Sequence, residues 1–339
     1  MSAMKTTPVV FYRYDASPAS AKIENVLAMK GITHYRVEVA MTLPRPEITQ
    51  ALGIGYRRIP ILAIGNDVYC DTSIIAPTLD KYFPESQGFP ALFPPRKDGG
   101  KVDAGMIKAL STFYVDRPLF YLASRNLPYK KFSPEFIADR GKWFGAPLDV
   151  EKVTKAQPGM KSLLSSHMAL LEEQLSDDRE WVFDTTTVGY GDLTLYAVYG
   201  WIIRFRGMPE VLSADKFPKA NAWISRMAKF VKSKREENAH HVNKIDGEAA
   251  SKIIADSQGL QSPQIIFDED EASRLGLKLG SRVEVAPEDN ATNYPTKGRL
   301  IGLGREEVVL QLSGSAVPSL RCHFPRFFYS IKSTESAKL

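Results

Sequence analysis

The spacing of apolar positions changes several times in the first eighty-odd residues, and each change predicts an element. Val9-Val10-Phe11-Tyr12 is a short apolar run rich in β-formers and predicts a strand. In AKIENVLAMKGI, Ile23, Val26, Leu27 and Ile32 recur at helical spacing, which predicts an amphipathic helix closed by Gly31. His34 to Val39 reads as a second strand. Ile61–Ile64 and Val68–Cys70 are two more, joined through the tight turn Gly65-Asn66-Asp67. Asp71-Thr72-Ser73 then opens a helical pattern whose Pro77, lacking a backbone N–H, should kink or delay the helix.

From Pro84 to Gly100 the chain is too rich in Pro and Gly for a helix or a central strand, which predicts a surface linker. Beyond it the period becomes helical: Ala104–Ala123, Leu163–Leu175, Leu193–Arg206 and Lys219–Val231 each place apolar residues three to four apart. Ser251 to Pro263 reads as a second linker. Short β-type runs follow at Arg282–Ala286, Lys297–Gly304, Val308–Leu312 and Phe327–Ile331, and predict a small barrel or sheet of about five strands. His323-Phe324-Pro325-Arg326 reads as a turn into the last of them. The pattern divides the chain into residues 1–86, 87–245 and 246–339.

Composition narrows the possibilities. With 339 residues, 44% of them hydrophobic and 24% charged, the chain has material for two or three ordinary cores and reads as a soluble protein. The net charge of +5 is spread along the sequence, without the basic face or RNA-type aromatic-basic motif of a nucleic-acid binder. No apolar run approaches the roughly 20 residues of a membrane helix. The two cysteines, Cys70 and Cys322, have no metal-type spacing and indicate neither a disulfide framework nor a metal site. A reducing cytoplasm is the expected location.

Three local features carry candidate chemistry. Ser17-Pro18 is a strong helix start, since the serine oxygen accepts from an otherwise unpartnered backbone N–H and proline's N–H is not missed; it also sets a hydroxyl at the positive end of a helix, where a thiolate is stabilised. Pro60, at the mouth of a strand, cannot serve a sheet ladder, and a cis Ile59-Pro60 bond would turn neighbouring backbone outward. Asp71-Thr72 sets a carboxylate and a hydroxyl at the next helix start, where both are also good caps.

Together these residues resemble the glutathione S-transferase superfamily. The β-α-β then β-β-α order is the thioredoxin-like arrangement of its first domain, and Ser17-Pro18-Ala19-Ser20-Ala21-Lys22-Ile23 stands as the serine-type pattern S-P-x-x-x-[RK]-[VI]. The resemblance implies a thioredoxin-like domain, an all-helical transferase-type domain and, as in fungal transferase-like proteins, a β-rich C-terminal extension. It covers about 70% of the chain; ordinary transferases end before the extension. It implies glutathione as the bound thiol, with Ser17 donating to its sulfur, Ile59 and Pro60 meeting the cysteinyl part, Asp71 and Thr72 the γ-glutamyl end, and Arg58 the glycyl carboxylate. Asp71-Thr72 departs from the commoner Glu-Ser. Tyr12 and Tyr14 are rival hydroxyls, because other classes use a tyrosine near the first strand, and position 17 lacks the cysteine that thiol exchange needs.

The second substrate, a small hydrophobic electrophile, is expected between the domains near Phe113, Tyr114, Arg117, Tyr121 and Trp143, with Arg117 placed for an acidic group. Aromatics at helical spacing are more often core, and His167 reads as a structural histidine. Gly189-Tyr190-Gly191-Asp192 resembles the family's buried capping box with its hydroxyl residue lost, which assigns Asp192 to folding. The resulting expectation is an enzyme that activates glutathione for attack on an electrophile, as a cytoplasmic homodimer without metal, nucleic-acid or membrane partner. A glutathione-dependent isomerase or lyase, and a non-catalytic scaffold with a partner-binding extension, stay open beside it.

Overall fold

A computed structural model of the chain describes residues 7–257, 264–312 and 316–334. Its first unit runs β1 (Val9–Arg13), α1 (Pro18–Lys30), β2 (His34–Glu38), the single turn α2 (Pro46–Thr49), β3 (Ile61–Ile64), β4 (Asp67–Cys70) and α3 (Thr72–Tyr82). Ser17 caps α1 with its side chain, and Gly31 ends it at a left-handed φ of 63°. Pro77 does not delay α3, which begins at Thr72 directly after its cap Asp71 and contains the proline.

β1 pairs in parallel with β2 and antiparallel with β3, which pairs antiparallel with β4. Alternation along β1 assigns its two faces. Val9 and Phe11 face α1, α3 and the helices beyond, whereas Val10 and Tyr12 face a second core shared with the C-terminal extension.

The helical unit begins with α4 (Ala104–Ala109), a π-helical stretch (Leu110–Leu119) and α5 (Phe120–Arg125) in unbroken succession. There follow α6 (Pro134–Phe144), α7 (Val150–Gln174), α8 (Tyr190–Ile202), α9 (Met208–Val211) and α10 (Pro218–Glu237). α8 is buried along most of its length, which matches its apolar sequence. At its start the Asp192 carboxylate accepts from the N–H of Gly189 (3.4 Å), the N–H of Val182 (3.0 Å) and Nε1 of Trp223 (2.9 Å), while burial pushes its pKa up to about 6. Gly189 supplies no capping hydroxyl because a Cβ there would stand 2.8 Å from Cδ of Pro94.

Helical character does not continue to residue 245. β5 (Val242–Ile245) joins the sheet parallel to β2, and α11 (Gly247–Ala255) runs into the start of the stretch expected as a linker, through Ala255; residues 258–263 of that stretch lie outside the described residues. After α12 (Glu269–Arg274) come β6 (Arg282–Pro287), β7 (Thr296–Leu303), β8 (Glu307–Gln311), β9 (Arg321–Pro325) and β10 (Tyr329–Ser333).

The five-stranded extension is therefore present, but it continues the first sheet. β9 pairs in parallel with β4, Val68 opposite Cys322, giving a row of ten strands in the order β10-β6-β7-β8-β9-β4-β3-β1-β2-β5. His323 to Pro325 belong to β9 and form no turn, a correction that follows from pairing with a strand some 250 residues earlier. The same pairing brings the sulfurs of the free cysteines Cys70 and Cys322 to 3.8 Å inside the core. At the seam His323 lies between Asp67 (2.9 Å) and Glu307 (2.8 Å), stacked on Tyr69. Backbone contact is close there too: a Cβ on Gly55 would fall 2.1 Å from the carbonyl oxygen of Pro295.

Candidate functional site

A cavity of about 1200 Å³ lies where the first unit, the helical unit and the extension meet. Ser17, Arg58, Ile59, Pro60, Asp71 and Thr72 line it, as do Arg117, Tyr121 and Trp143. Phe113 and Tyr114 do not. Phe113 instead packs on Phe327 and Phe328, with centroids 5.1 and 5.2 Å away, and the Tyr114 hydroxyl meets Nδ1 of His167 at 2.8 Å. Phe113, Arg117 and Tyr121 follow one another at four-residue spacing on one face, and Phe327 and Phe328 of the extension cover that face at Phe113, whereas Tyr114 turns toward His167 in the helical unit.

Ser17 stands in extended backbone ahead of α1, buried, its Oγ accepting from the N–H of Ser20 at 3.0 Å. Accepting leaves the hydroxyl hydrogen free to be donated. The helix start adds its positive dipole end. Of the rival tyrosines, Tyr14 lines the cavity, whereas Tyr12 is buried in the second core and burial raises its pKa.

The Ile59-Pro60 peptide is cis. Next to it, Asp71 is held at a positive φ of 90° and caps α3, its Oδ1 accepting from the N–H (3.0 Å) and hydroxyl (2.9 Å) of Ser73. Oδ2 accepts from the Tyr329 hydroxyl of β10 at 2.8 Å. Thr72 Oγ1 accepts from Nζ of Lys22 at 3.0 Å and donates to Asp116 at 3.3 Å. Lys22, the basic member of the serine-type pattern, is fully buried and pairs with Asp116 at 2.5 Å. Burial would lower its pKa, but Asp116 more than offsets this and the ammonium is retained. Asp71, Asp116 and Lys22 leave this end of the cavity with an excess of negative charge.

The other end is positive. Arg58 and Arg117 both donate to Asp289, and Arg58 also donates to the carbonyl of Asn290 at 2.6 Å. Asp289 and Asn290 belong to the loop between β6 and β7. Burial alone would raise the Asp289 carboxyl, yet the two guanidiniums hold it below its ordinary range. Arg57, beside them, pairs with Asp139 at 2.8 Å and lies 4.6 Å from the centre of the Tyr294 ring, which ties the same loop to the helical unit.

The rest of the lining is rich in aromatic and cationic residues. Phe120, Tyr121, Phe132, Phe136, Trp201 and Phe205 belong to it together with the cations Lys131, Lys161, Arg204 and Arg206. No acidic residue lines it; the cavity's three carboxylates are Asp71, Asp116 and Asp289.

The residues fit a bipolar thiol at three points. A carboxylate-bearing negative end can hold an ammonium, the first N–H groups of α3 can hold a carboxylate, and Ser17 lines the same cavity with a hydroxyl to donate. Lys22, Asp116, Asp289 and Tyr329 are the residues that sequence reasoning missed. Only Lys22 carried a signal, as a member of the serine-type pattern.

Residues 11–87 match the family described as Glutathione S-transferase, N-terminal domain, and residues 122–236 match a Domain of unknown function (DUF7962). A GST-like protein from Pseudomonas syringae superposes with a TM-score of 0.68 at 23% identity, over 97% of this chain and 100% of its own. Its coverage includes the extension. Rice GST1 in complex with glutathione gives 0.49 at 20% identity over 74% of this chain and 96% of its own. The β-etherase LigF from Sphingobium sp. strain SYK-6 gives 0.48 at 18%, over 68% of this chain and 99% of its own. No curated protein matches. Over residues 11–87 the chain matches a glutathione S-transferase N-terminal domain, and over nearly its whole length it shares the fold of the GST-like protein from Pseudomonas syringae.

Proposed function

We propose that this protein binds glutathione and directs its thiolate at a small apolar electrophile. The observation that carries the reading is convergence: the Ser17 hydroxyl at one helix start, the cis Ile59-Pro60 peptide, and Asp71-Thr72 at a second helix start come from three separate segments and line one cavity. Glutathione supplies the nucleophilic sulfur. Ser17 donates to that sulfur and favours the thiolate, aided by the positive end of α1. Ile59 and Pro60 present backbone to the cysteinyl part, and Asp71 with the start of α3 takes the γ-glutamyl end. The aromatic residues of the lining, Tyr121 among them, remove the electrophile from water and hold it near the sulfur.

Retention on glutathione-agarose and conjugating activity test the proposal together. Wild-type protein is retained and forms products heavier by one glutathione, and Ser17→Ala loses conjugation by about two orders of magnitude, the usual size of a lost positioned donor. No retention, or full activity in Ser17→Ala, overturns it.

A further inference from the structure

The positive end of the cavity holds a carboxylate from the chain itself. Arg58 comes from the first unit and Arg117 from the helical unit, and both converge on Asp289 of the extension. Two guanidiniums from different segments closing on one carboxylate is the arrangement that recognises a ligand's carboxylate. Here the protein supplies the anion.

The contact stands on the cavity wall, partly exposed. Asp289 sits on a loop with its side chain a third exposed, and Arg58 and Arg117 keep 13% and 20% of theirs. One carboxylate against two guanidiniums leaves a net positive charge. Nε of Arg58 and Nε of Arg117 are both buried without an acceptor, so the cluster has donors to spare. The loop does not depend on Asp289 for its place: the N–H of Glu288 donates to the carbonyl of Phe328 at 3.0 Å, the N–H of Ala291 to the carbonyl of Trp143 at 2.8 Å, and Pro295 presses on Gly55.

Resting on the glutathione reading, we infer that Asp289 determines which thiols this site accepts. By occupying Arg58 and Arg117 it takes the place of the ligand's terminal carboxylate, so that the ligand class is a γ-glutamyl-cysteinyl thiol whose third residue needs no free carboxylate. Glutathione and its glycyl ester are then bound alike. A free glycyl carboxylate gains nothing from Arg58 until Asp289 is displaced.

Calorimetry with glutathione and with glutathione glycyl monoethyl ester, on the wild type and Asp289→Asn, tests this. The wild type binds the two within a factor of about three, whereas Asp289→Asn binds the free acid about tenfold more tightly and the ester as before, the size of one charge-assisted contact. A wild type that already prefers the free acid by about tenfold, or a ratio unchanged in Asp289→Asn, overturns the inference and leaves the glutathione reading standing. Asp289→Ser serves if the Asn variant does not fold. If neither thiol binds any variant, the glutathione reading fails, and benzoate then decides the inference: thermal stabilisation of Asp289→Asn by benzoate, absent in the wild type, supports an internal carboxylate in an anion site, and no such difference removes it.

Discussion

The two ends of the cavity use the same device in opposite ways. At one end Lys22 of the first unit meets Asp116 of the helical unit; at the other Arg58 and Arg117 meet Asp289 of the extension. Each is a cation–carboxylate contact between units, yet their surroundings differ. Lys22 is 2% exposed and also bonds Thr72 and Ser111, whose hydroxyl continues to Tyr190 and Thr194. Asp289 lies on a loop, open to the cavity. Asp116, 27% exposed in its side chain, lines the cavity as Asp289 does, so the difference lies in the cation: removing a buried, multiply bonded lysine strands its partners, whereas a partly exposed ion pair contributes little. The first is framework, and in the second the chain's own carboxylate occupies two guanidiniums at the cavity wall.

Breaking the framework pair gives the largest expected effect. Lys22→Met leaves Asp116, Thr72 and Ser111 without their donor, and should lower unfolding free energy by about 3–5 kcal/mol, read from urea denaturation. A loss near that of a surface pair would erase the contrast.

The seam beneath the extension should respond to pH. Burial pulls the His323 pKa down, but its hydrogen bonds to Asp67 and Glu307 outweigh this and raise it above the ordinary 6.5. A charged histidine bound by both carboxylates contributes stability that is fully present below the unfolded value and is lost as pH rises through the raised folded value. Urea midpoints should therefore fall with rising pH above 6.5, and His323→Gln should flatten that slope. A wild-type midpoint that rises over this range contradicts the assignment.

Asp289→Asn should change stability by less than about 1 kcal/mol, since its ion pairs are partly exposed and the loop is tied elsewhere. A cost as large as that of Lys22→Met would make Asp289 framework as well.

What the sequence disclosed and what it hid follow one division. Elements set by local chemistry were readable: the cap at Ser17, the stop at Gly31, the cis bond before Pro60 and the alternating faces of β1 all depend on residues a few positions apart. The helical unit was readable from its period, although Gly189 makes sense only once Pro94 is seen against it. Hidden were the contacts made across the fold. β9 is five residues containing Cys, His and Pro, and only β4, some 250 residues earlier, makes it a strand. The approach of Cys70 to Cys322 follows from the same pairing. Asp289 carried no local sign at all, being one polar residue in a polar loop. For the site this means that the half built from the first unit could be named residue by residue, while the carboxylates that set its charge, Asp116 and Asp289, could not.

The most direct test of the central claim is calorimetry of glutathione with the wild type and Ser17→Ala, combined with the ultraviolet absorbance of the bound thiolate. The account predicts binding by both proteins within a few-fold, with a thiolate signal in the wild type that Ser17→Ala loses. No wild-type binding at millimolar glutathione, an affinity weaker than about −4 kcal/mol, would contradict it.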